Sequence, residues 1–284
     1  MSENLEQQVT RGLPQTPPAA QTVVQSAPAE QKSKRSYPFA TEIVDLPSKG
    51  LVYPEGNPLA SGQITVKLLT AKEEDILTST NLVRKGIVLD KLLESIIVDE
   101  GVNINDIVIG DKNAILVASR VFAFGPEYKI TVTDPVENEP VEVSVDMSNL
   151  KNKEIDYSKL NRKNEYDFTL PKCGVKIKFK ILTHGDEVTI AKDIEAAQKI
   201  TKQGNDIQTR YRRLIVEVDG NRDIAYVNNF VTNKLLAIDS KALRKYIGEI
   251  SPDIDLSFDY TSPFTGETEA LKIPIGIDFF YPTD

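Results

Sequence analysis

One cysteine, Cys173, and one histidine, His184, are all that the 284 residues hold of either type. A lone cysteine forms no disulfide within its own chain, so a reducing compartment is the expected setting. One Cys and one His cannot assemble a Cys/His zinc site within one chain, and neither a metal nor a cofactor is expected. No apolar run approaches the roughly 20 residues a membrane span requires, and the N-terminus has no signal-peptide core. The expectation is a soluble protein made in a cytoplasm, without a membrane partner. Positive charge is also short, with 34 Lys and Arg against 42 Asp and Glu and a net charge of -8. That balance argues against a nucleic-acid partner bound through overall charge. The motifs of common chemistries are missing as well. There is no G-x-S-x-G nucleophile elbow, and no glycine-rich loop ending in Lys-Ser/Thr to cradle a phosphate.

What is present is an ordinary globular mixture, 40% hydrophobic and 27% charged, enough for a real core. Its most informative feature is a phrase that occurs twice, at residues 63–77 (QITVKLLTAKEEDIL) and 176–190 (KIKFKILTHGDEVTI). Aligning Thr70 with Thr183 pairs Ile64 with Ile177, Val66 with Phe179, Lys67 with Lys180, and Glu73 with Asp186. Each copy alternates apolar and polar residues as a half-buried strand does. A threonine then precedes an acid by three residues, the pattern that satisfies the orphan N–H groups at a helix start.

Around this phrase the chain reads as α+β, two similar strand–helices–β-hairpin repeats after a disordered N-terminal tail. Residues 1–36, rich in Gln, Pro, Ala and Ser, lack the apolar side chains to offset ordering entropy and form the tail. The first repeat spans 37–160 and the second 161–284. In the first, a short strand at 51–53 lies between turn clusters, the strand 64–69 leads to helices at 71–79 and 88–98, and Asp111 caps a third helix running to Phe124. A hairpin at 128–133 and 141–145 closes it. In the second, a strand at 176–182 leads to a helix at 186–202, a helical stretch at 207–218, and a shorter element at 224–233. Asp239-Ser240 caps a helix at 241–250, and a hairpin at 256–260 and 270–273 follows. Gly125-Pro126 and Ser251-Pro252 stop the two last helices, and Thr133-Asp134-Pro135 matches Thr261-Ser262-Pro263.

The acidic clusters Glu73-Glu74-Asp75 and Asp186-Glu187 sit in first helical turns, where the backbone dipole favours negative charge. That role accounts for them without acid–base catalysis. His184 beside Asp186 could pair a base with an orienting acid, but its counterpart in the first copy is Ala71, so the phrase does not require it. Arg210-Tyr211-Arg212-Arg213 reads as a solvated helix face. The expectation is therefore a protein without enzymatic activity. Surface recognition has better candidates. Residues 46–58 form a Pro- and Gly-punctuated loop with Tyr53 and Pro54 offered to a partner. At the end of the chain, Phe279-Phe280-Tyr281 places three rings in a row, and in an extended segment neighbouring side chains face opposite ways. At least one ring is then available to another protein or another subunit.

Several phrases resemble the T4-like phage baseplate protein family, whose members are hub components or hub-assembly proteins of contractile-tailed bacteriophages. They are Leu46-Pro47-Ser48-Lys49-Gly50 with Tyr53-Pro54, the run from Leu69 through Thr70-Ala71-Lys72-Glu73-Glu74-Asp75 to Leu77, Leu89-Asp90-Lys91-Leu92-Leu93, and Gly110-Asp111-Lys112-Asn113-Ala114. The family pattern carries Cys-Pro-x-Cys-Gly in the last hairpin before a Phe-Phe-aromatic-Pro ending. Here that hairpin reads Ser262-Pro263-Phe264-Thr265-Gly266, with hydroxyls at both thiol positions, so it must hold by packing and turn chemistry. The resemblance implies a non-enzymatic protein of tail morphogenesis, present in the host cytoplasm during assembly and in the tail baseplate of the virion. Its implied partners are other tail and baseplate hub subunits, with a further copy of itself as another candidate. A dissociable tail-assembly chaperone and a tail-tip cell-wall hydrolase using His184 are the rival readings.

Overall fold

Strand β1 (Thr41–Asp45) pairs antiparallel with β2 (Gln63–Lys67), Thr41 opposite Lys67 and Asp45 opposite Gln63. Ile64 and Val66 of β2 are buried, as the alternation requires. The computed structural model describes residues 40–201 and 206–280; the expected tail, 1–36, and Tyr281 lie outside them. Residues 46–62 connect the two strands through turns. The strand expected at 51–53 is not there, because Leu51 N–H bonds the Ser48 carbonyl at 3.0 Å and Tyr53 N–H the Gly50 carbonyl at 3.3 Å. These i to i+3 bonds curl the segment.

Helices α1 (Ala71–Thr78), α2 (Thr80–Arg84), α3 (Val88–Ile96) and α4 (Ile109–Phe124) follow. On α3, Val88, Leu92, Leu93 and Ile96 are buried on one face. α4 begins one residue before Gly110, so Asp111 is in its first turn rather than at its cap. Gly125 adopts a positive φ of 83° and ends it. Strands β3 (Glu127–Thr133) and β4 (Pro140–Asp146) form the first hairpin.

The second half opens with β5 (Tyr166–Thr169), which pairs with β6 (Lys176–Phe179). Helices α5 (His184–Thr201) and α6 (Asp206–Leu214) follow, and then β7 (Ile215–Val218) adds to β6 as a third strand. The helix expected through Val218 therefore stops at Leu214. The Ile-Val-Glu-Val segment instead pairs with Ile177–Phe179, where Ile215 and Val218 bury their branched side chains. Helices α7 (Ile224–Asn233) and α8 (Ala237–Ile250) precede the last hairpin, β8 (Ser257–Thr261) with β9 (Thr268–Lys272). α8 starts a turn earlier than expected, which puts Asp239 inside its first turn.

The fold class is α+β, helices with small antiparallel sheets of two or three strands. One buried apolar cluster runs through both halves, from Val44 and Val66 to Leu243 and Phe280. The halves also meet through backbone. Val108 and Thr183 form an antiparallel bridge in which Ile109 N–H donates to the Leu182 carbonyl at 3.3 Å and His184 N–H to the Ile107 carbonyl at 2.7 Å. Gly110 touches the loop after α8, where an added Cβ would lie 1.9 Å from the Pro252 carbonyl oxygen.

Candidate functional site

The loop 46–62 is organised around a buried carboxylate. Asp111 Oδ1 accepts the Ser48 N–H at 2.8 Å, and Oδ2 accepts the Ser48 and Tyr53 hydroxyls, both at 2.6 Å. The Tyr53 oxygen in turn accepts the Val108 N–H at 3.1 Å. Burial pushes the Asp111 carboxyl upward, against the pull of the Ser48 and Tyr53 bonds. Burial, with Asp111 beside it, also pushes the Tyr53 hydroxyl far up. Gly50, at φ 73°, lets the loop close on itself: a Cβ there would meet the Ala60 carbonyl oxygen at 2.5 Å. Tyr53 is thus a structural anchor, 2% exposed, and not the surface ring the sequence led us to expect. The reason is its hydroxyl, which finds a buried acceptor. Pro54, the next residue, is exposed.

The C-terminal rings differ from expectation for a geometric reason. Residues Asp278–Phe280 form a 3-10 turn instead of an extended segment, so neighbours need not alternate, and both Phe279 and Phe280 point inward. Phe279 packs edge-on against Tyr128 at 5.2 Å and against Phe280 at 5.4 Å.

The two copies of the strand–cap–helix phrase make corresponding bonds. Glu73 accepts the Thr70 N–H at 3.0 Å and its hydroxyl at 2.7 Å, while Lys67 reaches the same carboxylate at 2.7 Å. Asp186 accepts the Thr183 N–H at 3.1 Å and its hydroxyl at 3.2 Å, with Lys180 at 2.7 Å. Burial pushes the Glu73 carboxyl up, but Lys67, Ser95 and Thr70 outweigh it and hold the group down at about 2. The acids that could be mistaken for catalytic groups are thus engaged at helix starts. His184 is buried, with Lys112 Nζ 3.1 Å from Nδ1 and Asp90 Oδ1 3.1 Å from Nε2. The basic run is tied internally too. Arg210 pairs with Glu187, Tyr211 donates to the Ser240 carbonyl at 2.9 Å, and Arg212 donates to the Thr232 hydroxyl at 2.8 Å.

The sequence did not reveal the hairpin tips as surface features. In the first, Asp134 Oδ1 accepts the N–H groups of Val136 and Glu137, both at 2.9 Å, and Asn138 takes a positive φ of 61°. In the second, Ser262 Oγ accepts those of Phe264 and Thr265, both at 3.2 Å, and Gly266 takes φ 75°. The serine supplies in this hairpin the turn chemistry expected of it. Tyr260 donates to Asp134 Oδ2 at 2.7 Å and ties the two hairpins together. The Glu137 N–H, with Ser262 and Tyr260, holds the Asp134 carboxyl down at about 2. Each turn lifts one apolar side chain into solvent, Val136 at 56% exposure and Phe264 at 55%. The x-Pro signals marked these turns in the sequence, but not which side chains they present.

Among the described residues no group of three or more His, Cys, Asp or Glu is arranged to hold a metal ion, and no helix is long and apolar enough to cross a membrane. Over residues 42–281 the chain matches the family described as T4 bacteriophage base plate protein. It belongs to that family, and is a bacteriophage baseplate protein whose place is the virion tail and whose partners are other tail and baseplate proteins. No curated protein and no solved structure shows significant similarity to it.

Proposed function

We propose that the chain is a non-enzymatic component or assembly factor of the baseplate hub, made of two related strand–helices–hairpin repeats, 37–160 and 161–284, and acting through protein–protein contacts. The family match across residues 42–281 carries this reading. The matching bonds of the two helix starts support the relation between the repeats. The non-enzymatic part is supported by His184, whose ring is closed in by Lys112 and Asp90. Apolar side chains raised on rigid turns, Val136 and Phe264, suit contact with a protein. Of the loop 46–58, Pro54 faces the partner, while Tyr53 fixes the loop from below; Phe279 and Phe280 likewise point inward. Peptide mass spectrometry on purified particles and on the soluble lysate tests the role. Recovery from particles at a few copies per tail is the expected result for a hub component. Recovery from lysate alone would make the chain a dissociable assembly chaperone. Loss of a cell-wall-degrading activity in a His184→Ala chain would overturn the non-enzymatic reading.

A further inference from the structure

The backbone junction between the two halves has a matching but open edge at each outer end. In the junction, the segment before α4 lies against the segment before α5 through Ile109 N–H to Leu182 C=O and His184 N–H to Ile107 C=O. With Thr70 aligned on Thr183, the first-half counterparts of Leu182 and His184 are Leu69 and Ala71. Aligning Asp111 on Asp239, each the third residue of its helix, makes Leu235 and Ala237 the counterparts of Ile107 and Ile109. Among the described residues, no hydrogen bond reaches the Leu69 or Leu235 carbonyl or leaves the Ala71 or Ala237 N–H. Burial follows the same division. Val108 and His184 are covered at the junction, whereas Leu236 is 44% exposed and Ala71 is exposed.

We propose that these two open edges join, so that a second copy of this chain docks head to tail, its segment 69–71 against 235–237 of the first. The occupant follows from complementarity. One end offers the acceptor–donor pair that the junction shows on Leu182 and His184, and the other offers the pair shown on Ile107 and Ile109. The side chains that differ have room. Gly185 is crowded by Asn105, from the turn before α4, but α7 runs to Asn233, two residues short of Leu235, and leaves no such turn ahead of α8. Lys72, the counterpart of Gly185, is therefore tolerated. Gly110 is crowded by Pro252–Asp253, in a connection that runs from Ile250 to Ser257, whereas α4 and β3 are separated only by Gly125 and Pro126. Ile238, the counterpart of Gly110 and 60% exposed, fills the space that the longer connection occupies inside the chain. A contact of this kind joins different patches on the two copies, so it propagates unless a rotation closes it into a ring. The inference stands apart from the hub role and would survive its failure.

Ala71 and Ala237 are the first residues of α1 and α8, and Thr70 and Leu236 before them are extended, at ψ 175° and 147°. Proline is accepted there and removes only the free N–H. Sedimentation velocity on the full chain, from about 10 μM to about 1 mM, should show the average mass rising with concentration. Ala71→Pro or Ala237→Pro should weaken association by about tenfold or more, with the circular dichroism spectrum unchanged. A one-to-one mixture of the two should form a dimer and stop there, since each variant keeps the edge the other lacks. Ile238→Asp, on an exposed side chain, gives the same loss without touching backbone. A wild-type chain that stays monomeric throughout, association that ignores all three substitutions, or a mixture that fails to pair would each overturn the proposal.

Discussion

Asp111 and Asp239 occupy the same position in α4 and α8, and both reach back to a Leu-Pro-x-x-Gly turn between two antiparallel strands. Asp239 accepts the N–H groups of Lys172 and Cys173, at 2.7 and 3.2 Å, and the turn it holds is a short one that joins β5 directly to β6. Asp111 accepts one N–H, from Ser48, and two hydroxyls besides, and the connection it holds runs from Leu46 to Gly62. Backbone donation to a helix-start carboxylate is what the two share. The hydroxyls of Ser48 and Tyr53 are what the longer loop adds. The difference lies in length: a long loop needs further buried donors to fix it, and this one supplies them from its own sequence.

Removing the two carboxylates should therefore have unequal consequences. Asp111→Ala strands the Ser48 N–H and two hydroxyls in the interior, and each unsatisfied group costs roughly 1–3 kcal/mol. The expected loss in urea unfolding is about 3 kcal/mol or more. Asp239 is as buried as Asp111, but it serves only two N–H groups, on residues that are otherwise exposed, and no hydroxyl, so Asp239→Ala should cost less, about 1–2 kcal/mol. Equal losses would mean that the Ser48 and Tyr53 hydroxyls add nothing to the larger loop.

Acid sharpens the same contrast, because Asp111 and Glu73 are perturbed in opposite directions. Glu73 is held at about 2 against an ordinary 4.5 by the ammonium of Lys67 and its hydroxyl partners, despite burial. A carboxyl depressed on folding contributes stability that is complete above the unfolded value and fades as pH falls through the folded one. The wild type should therefore lose stability between about pH 4.5 and 2, and Glu73→Gln should flatten that limb. Asp111 is raised by burial, so its contribution has the reverse sign and declines as pH rises through its folded value. An acid limb unaltered by Glu73→Gln would show that the Lys67 pair does not form in solution.

How much of this could be read beforehand depended on how local the cause was. The phrase from Gln63 to Leu77 and its partner announced strand, cap and helix, because alternation and the Thr-to-acid spacing act within a few residues. Both hairpins were legible for the same reason. β1 and β5 were not read, since each is only a few residues long and is fixed by its pairing to β2 or β6. Ile215–Val218 followed a helix without a break and became a strand only because β6 had an open edge. At the candidate site the limit was distance. Asp111 lies 58 residues from Tyr53, and no pattern near Tyr53 indicates that its hydroxyl has a buried acceptor. For Phe279 and Phe280 the ring order was plain, but the turn that sends both inward was not.

Two helix glycines give the finest version of the comparison between the halves. Gly110, in the first turn of α4, lies where a Cβ would sit 1.9 Å from the Pro252 carbonyl oxygen and 2.7 Å from the Asp253 Cα. These are backbone atoms, which cannot swing aside as a side chain can. Gly110→Ala should therefore push the two halves apart and cost about 1–3 kcal/mol, and it should also disturb the Asn113 to Asp253 bond of 3.1 Å. Gly248, near the end of α8, has nothing within 4 Å of the same hypothetical atom. There the substitution only reduces the freedom of the unfolded chain and improves helix propensity, so Gly248→Ala should stabilise the protein by roughly 0.5–1 kcal/mol. Thermal unfolding of the two variants side by side reads both signs. A neutral Gly110→Ala would mean that α4 does not approach the loop after α8 this closely, and that the other contacts between the halves hold them, among them the Val108–Thr183 bridge and the Tyr260 to Asp134 bond.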